Sequence, residues 1–135
     1  MTDRVFFYGT LMTGFDRRRR AGIDEGTLTY LGRGYIQAAL FDLGIYPAAV
    51  PDPEGRVWGE VYEMREPETV LPILDSIEGY CPEEPDASLY MRNEVPIVLE
   101  GCRTGENGWA YFYNAPLGRA QRIVSGDYLE HLRPR

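Results

Sequence analysis

The apolar run Val5-Phe6-Phe7-Tyr8 has a polar start before it and Gly9 behind it, the pattern of a short buried strand ending in a turn. Beyond a polar stretch, Thr27 to Leu43 reads as one long or broken strand, interrupted at Gly32 and Gly34. Gly44 to Val50 carries a short extended piece ahead of the Pro51-Asp52-Pro53-Glu54-Gly55 turn. Arg56 to Met64 then alternates, with Val57, Gly59, Val61 and Glu63 on one face and Trp58, Glu60 and Tyr62 on the other. In Glu66 to Glu78 the period changes: Val70, Ile73, Leu74 and Ile77 form the i, i+3, i+4, i+7 stripe of an amphipathic helix. Pro67 suits the first turn of that helix, whereas Pro72 removes a donor from its middle and predicts a kink or a start near Leu71. Leu89 to Leu99 and Trp109 to Tyr113 read as strands, and Asp127 to Leu132 as a short terminal helix. About six strands with one main helix predict an α+β fold, a small mixed β-barrel or strongly curved sheet with short flanking helices.

Composition narrows this picture. A chain of 135 residues, 44% hydrophobic and 26% charged, has the size and balance of a single globular domain over residues 1–135. No apolar run reaches membrane-spanning length, and the start lacks a signal-peptide core, so a cytoplasmic location without membrane contact is expected. The net charge of −7 argues against a nucleic-acid partner, because polyanion binding rests on a basic surface. The contrary run, Arg17-Arg18-Arg19-Arg20, reads as a solvated surface or as a basic rim for an anionic substrate.

All 14 basic residues are arginine, so a Schiff-base lysine, a lysine-bound pyridoxal phosphate and a Walker A loop are excluded. The lone His131 and the widely separated Cys81 and Cys102 favour neither a metal site nor a redox pair, and no cofactor is expected. The two cysteines read as partly buried free thiols rather than a disulfide. Acid–base chemistry therefore falls to a carboxylate.

Two segments carry that chemistry. In Tyr8-Gly9-Thr10-Leu11 a glycine at a strand end permits a positive φ and close approach of a ligand, turning successive amides outward as an anion cradle, although a plain turn has the same sequence. In Leu74-Asp75-Ser76-Ile77-Glu78-Gly79 a glutamate closes a helix just before a capping glycine. There the negative end of the helix dipole and apolar neighbours oppose its ionisation, which suits a general base near neutral pH. Asp75, one turn earlier, either adds like-charge pressure or anchors an arginine such as Arg92.

Taken in order, Val5 to Met12, Tyr46-Pro47-Ala48, Val57 to Tyr62, Leu74 to Tyr80, Tyr90-Met91-Arg92 and Trp109 to Asn114 resemble the γ-glutamylcyclotransferase-like family, the AIG2-like proteins that include γ-glutamylamine cyclotransferase. The resemblance spans about residues 5 to 115. It implies a small barrel with a cavity at one end, substrate binding by Tyr8, Gly9, Thr10 and Leu11, and Glu78 as proton acceptor. The implied substrate is a small γ-glutamyl molecule, whose α-amine attacks its own γ-carbonyl to release 5-oxoproline and an amine or amino acid.

Tyr113, on the last strand, is a candidate pocket hydroxyl or else an aromatic core residue; Tyr46 and Tyr90 are candidate cavity walls. Glu60 rivals Glu78 as proton carrier. Two further readings stand beside the cyclotransferase: a binding module for an amino-acid derivative on the same fold, and a hydrolase pairing His131 with Ser76, Ser88 or Ser125, for which no Gly-x-Ser-x-Gly elbow exists. Pro72 and the segment Cys81 to Asp86, just before Tyr90, are expected to remodel one rim of the cavity.

Overall fold

The structure is a computed structural model that describes residues 2–12, 18 and 22–133. Five strands close a barrel: β1 (Arg4–Phe7), β2 (Leu28–Ile36), β5 (Val57–Met64), β6 (Tyr90–Leu99) and β7 (Glu106–Tyr113), in the order β1-β5-β2-β6-β7. β1 runs parallel to β7 where the barrel closes, with Val5 opposite Trp109, and the other neighbours are antiparallel. A second, three-stranded sheet holds β4 (Pro47–Pro51), β3 (Ala38–Asp42) and β8 (Gln121–Arg122) in the order β4-β3-β8. The α-helices fully within the described residues are α1 (Pro67–Glu78) and the short α2 (Tyr128–His131).

The expected long strand from Thr27 to Leu43 breaks at neither glycine. It breaks at Gln37, where β2 ends opposite Val57 in the barrel and β3 begins opposite Pro51 in the second sheet. Gly32 marks a bulge within β2, its φ of 135° being one that side-chain-bearing residues rarely adopt, and Gly34 continues the ladder opposite Gly59. The barrel interior follows the alternation of β5: Phe6 lies opposite Val61, Ile36 opposite Val57, and all four are buried. Gly59 leaves room for the Phe6 ring, since a Cβ there would lie 2.8 Å from Phe6 Cζ. The β8 pairing was not visible in the sequence, and β7 starts at Glu106 rather than Trp109.

Helix α1 begins at Pro67 and continues through Pro72 to Glu78, so the alternative start near Leu71 is not taken. The donor that Pro72 lacks would have served the Glu68 carbonyl, and both residues are on the exposed face of the helix, where solvent can take the place of that bond. The expected stripe is inward: Val70 and Leu74 are buried, and Ile73 and Ile77 are partly buried against the core. The buried face is wider than apolar residues alone predict, since Asp75 is buried too and Glu78 is partly buried. Leu71, Leu74, Asp75 and Glu78 are themselves spaced i, i+3, i+4 and i+7, so α1 turns two carboxylates toward the protein. Gly79 ends the helix in the left-handed region (φ 67°, ψ 34°). Its amide donates to Ser76 and that of Tyr80 donates to Asp75, a Schellman closure as the sequence predicts.

Within the arginine run only Arg18 is described; Arg17, Arg19 and Arg20, with the polar stretch around them, lie outside the described residues. Arg18 is not a solvated charge: it is buried, pairs with Glu25 at 3.2 Å and stacks 4.9 Å from the Tyr62 ring. Cys81 and Cys102 are free thiols as expected, but exposed rather than partly buried.

Leu74 is the fully buried residue of α1. Leu74→Ala is expected to lower the unfolding free energy by about 2–5 kcal/mol, read in urea denaturation as a lower midpoint at an unchanged slope.

Candidate active site

A cavity of about 180 Å³ opens where β1 and β7 finish and β6 begins. Its wall is built from five places in the chain: Phe6 to Leu11 at the end of β1, Tyr46-Pro47 entering β4, Ser76 to Gly79 at the end of α1, Leu89-Tyr90 where β6 begins, and Tyr111 on β7. Tyr8, Gly9, Thr10, Leu11 and Glu78, singled out in the sequence, thus meet in one small space, with Tyr46 and Tyr90 beside them. Among the described residues on this wall, Glu78 carries the one charged side chain.

The loop after β1 is a tight turn in which Gly9 accepts from the Met12 amide at 3.1 Å. Gly9 is required there for a reason other than the expected positive φ, which it does not have. A Cβ at Gly9 would sit 2.9 Å from Pro47 Cγ, so the glycine lets β4 close against the loop. The Tyr8 hydroxyl is committed to the same closure: it donates to the Tyr111 carbonyl at 2.6 Å and accepts from the Ala49 amide at 3.3 Å. Tyr90 repeats the device by donating to the Pro47 carbonyl at 2.9 Å. Two buried phenols therefore fasten the second sheet to the barrel and leave their rings as cavity wall.

Behind Glu78 lies a buried ion pair. Arg92 on β6 grips Asp75 with two nitrogens, Nε to Oδ1 at 2.8 Å and Nη2 to Oδ2 at 3.2 Å. The Tyr111 hydroxyl donates to the same Oδ1 at 2.6 Å. The Arg92 guanidinium lies 4.4 Å from the centre of the Trp109 ring and 5.7 Å from that of Tyr80. Of the two roles open to Asp75 in the sequence, the structure selects the arginine anchor.

Residues 5–130 match the family model described as gamma-glutamyl cyclotransferase, AIG2-like. The chain belongs to this family. Solved structures with the same fold include a Pyrococcus horikoshii protein (PH0828; 23% identity, TM-score 0.66, 96% of both chains covered). Protein YtfP of Escherichia coli is 27% identical with a TM-score of 0.65, over 96% of this chain and 99% of that one. An AIG2-like protein of Mus musculus is 26% identical with a TM-score of 0.60, over 84% of this chain and 76% of that one. No curated protein matches the chain.

Other candidates fall away from the cavity of this AIG2-like chain. Tyr113 is not on its wall; its ring packs on Tyr90 at 5.3 Å, and Tyr111, two residues earlier, takes the inner place. The strand register decides this, since Tyr111 lies opposite Arg92 and Tyr113 opposite Tyr90. The signal was available only in part: Asp75 and Arg92 can be paired from sequence, but their third partner needs the β6–β7 register. Glu60 shares a face with Phe7, away from Phe6 and Val61, and accepts a hydrogen bond from Tyr62 at 3.0 Å. His131 lies 2.7 Å from Asp42 at the end of β3, so no serine of the cavity has it as a partner. Its hydrogen bond, with help from the Gly44 amide, holds the Asp42 carboxyl below the usual carboxylate range. Among the described residues no cluster of His, Cys, Asp or Glu is arranged to hold a metal ion.

Burial pushes the Tyr8 phenol well above its ordinary value, and the neighbouring Glu78 charge pushes it the same way. Tyr111 moves in the same direction through burial, then through its hydrogen bond to Asp75, against a smaller opposing effect of Arg92. Because the native state keeps both protons that the unfolded chain releases near pH 10 or so, stability is intact below that value and falls as pH rises through it. In an alkaline titration read at 295 nm, Tyr8 and Tyr111 are expected to ionise only with unfolding, after the exposed tyrosines. Replacing both with Phe removes that late phase.

Proposed function

We propose that the protein is a γ-glutamyl cyclotransferase that converts a γ-glutamyl compound into 5-oxoproline and a free amine or amino acid. The observation that carries this reading is the meeting of Glu78 with the Tyr8–Leu11 loop in one cavity of amino-acid scale, in a chain of the AIG2-like family.

In this reading the amides of Gly9 to Leu11 receive the substrate α-carboxylate, and the ring walls of Tyr8, Tyr46 and Tyr90 curl its carbon chain so that amine and γ-carbonyl approach. Glu78 accepts a proton from the α-ammonium. The freed amine attacks the γ-carbon, the bond from that carbon to the departing nitrogen breaks, Glu78 returns its proton to that nitrogen, and the second proton shed by the attacking nitrogen as it becomes the lactam N–H passes to the same amine, which leaves as an ammonium. Atoms balance without water, and the nucleophile belongs to the substrate, which is consistent with a site that has no lysine and no cysteine on its wall. Well-oriented intramolecular attack has effective molarities of about 10⁵ to 10⁸ M, roughly 7 to 11 kcal/mol of barrier, so positioning is the larger share of the work. Proton transfer by Glu78 adds about 10²- to 10⁴-fold.

The reading is tested by a mass-spectrometric assay for 5-oxoproline on γ-glutamyl amino acids, γ-glutamylamines and glutathione. Wild type is expected to release product from at least one of them. Glu78→Gln is expected to lower kcat by about 10²- to 10⁴-fold at an unchanged melting temperature. Full turnover by Glu78→Gln sinks the assignment, and saturable binding without product by wild type moves it to a binding role for an amino-acid derivative.

A further inference from the structure

Glu78 is one helical turn beyond Asp75, on the same side of α1, so the state of Asp75 bears directly on it. Asp75 is tied at three points to two strands: twice by Arg92 and once by Tyr111. Tyr111 is itself on the cavity wall, and its carbonyl receives the Tyr8 hydroxyl at the root of the Gly9–Leu11 loop. One hydrogen-bonded chain therefore runs Arg92, Asp75, Tyr111, Tyr8, joining the end of the helix that carries Glu78 to the loop across the cavity.

We propose that Asp75, Arg92 and Tyr111 are positioning residues for Glu78: Arg92 cancels the Asp75 charge, so that Glu78 titrates without a second uncompensated carboxylate, and Tyr111 holds the helix end in register with the loop. This rests on the reaction assigned above. Two features support it. An isolated carboxylate at Asp75 would press on Glu78 through a low-dielectric wall, whereas a bidentate pair presents almost no net charge. Furthermore, the arginine lies over two aromatic rings, Trp109 and Tyr80, a fixed counter-charge rather than a flexible one. Among the described residues, the titratable and charged groups around Glu78 are Tyr8 from the end of β1, Tyr46 ahead of β4, Tyr90 and Arg92 from β6, Tyr111 from β7, and Asp75 and Tyr80 from the helix and its exit. Of these, Asp75 and Arg92 are the two that carry charge at neutral pH, and each offsets the other.

The test is a carbon-13 NMR titration of the Glu78 carboxyl in wild type, Arg92→Met, Asp75→Asn and Tyr111→Phe, with Glu78→Gln assigning the resonance. In parallel, kcat and KM for 5-oxoproline release are measured against pH. The Glu78 midpoint is expected to rise by roughly 1 unit in Arg92→Met, where Asp75 stands uncompensated, and to fall by about as much in Asp75→Asn, where Arg92 does. The acid limb of kcat/KM follows in the same directions. Tyr111→Phe is expected to leave the midpoint and KM nearly unchanged while lowering kcat by about 10- to 100-fold. A merely structural role lowers stability in all three variants and moves no midpoint. If Arg92→Met fails to fold, the near-isosteric Asp75→Asn decides the matter, and a Glu78 midpoint that stays at its wild-type value overturns the proposal. Absence of 5-oxoproline from wild type removes the assigned reaction, and the titration still decides the network.

Discussion

The buried carboxylate of Asp75 is the constraint on which the site depends. Withdrawing a charge from water costs several kcal/mol, and the chain meets that cost with an arginine fork and a phenol rather than with solvent. Those partners come from β6 and β7, so satisfying one helix residue fixes the orientation of α1 against two barrel strands. Glu78 follows from that orientation, because it is one turn farther along the same rigid helix. An apolar residue in place of Asp75 would pack as well, but it would not fix the rotation of the helix about its own axis.

The opposite wall obeys similar logic with neutral groups. A glycine in contact range of Pro47 and two buried tyrosine hydroxyls draw the second sheet onto the barrel end, and the cavity is the space left between the sheet, the loop and the helix. Hydroxyl donors suit this task because each satisfies a backbone carbonyl that the barrel end would otherwise bury unpaired. Tyr8 is thus more than a ligand-facing ring: its oxygen links β7 to β4. This division of labour, with rings facing the cavity and hydroxyls fastening the frame, leaves Glu78 as the charged side chain on the described wall.

Much of the architecture was legible in the chain, for identifiable reasons. The alternation in Val57 to Met64 reports a strand with one face inside a barrel, and Gly79 after a helical stripe reports a left-handed cap; both are local signals with one physical solution. The break at Gln37 was not legible, because it depends on which strands Ile36 and Ala38 find as partners, and neither partner is nearby in sequence. Reading only apolar residues found the buried side of α1 but not its full width, since a helix face completed by Asp75 and Glu78 looks polar until their partners are known. Tyr111 was not singled out for a similar reason: it and Tyr113 lie two apart on one strand, and only the β6 register shows which of them meets Arg92 and Asp75.

By itself, the sequence determined the type of each main element, the absence of lysine chemistry, the family pattern and the two segments from which the site is made. These are properties of composition and of short windows, where spacing along the chain and geometry in space are nearly the same thing. Tertiary structure alone decided that the two segments share a cavity, that Asp75 is paired with Arg92 while Glu78 lines the cavity, and that Tyr111 rather than Tyr113 closes the network. Each of those outcomes depends on strand register and on contacts between residues 17 to 103 positions apart, as in the Asp75–Arg92 and Tyr8–Tyr111 bonds. Such distances are set by the closing of the barrel, and no local pattern encodes them.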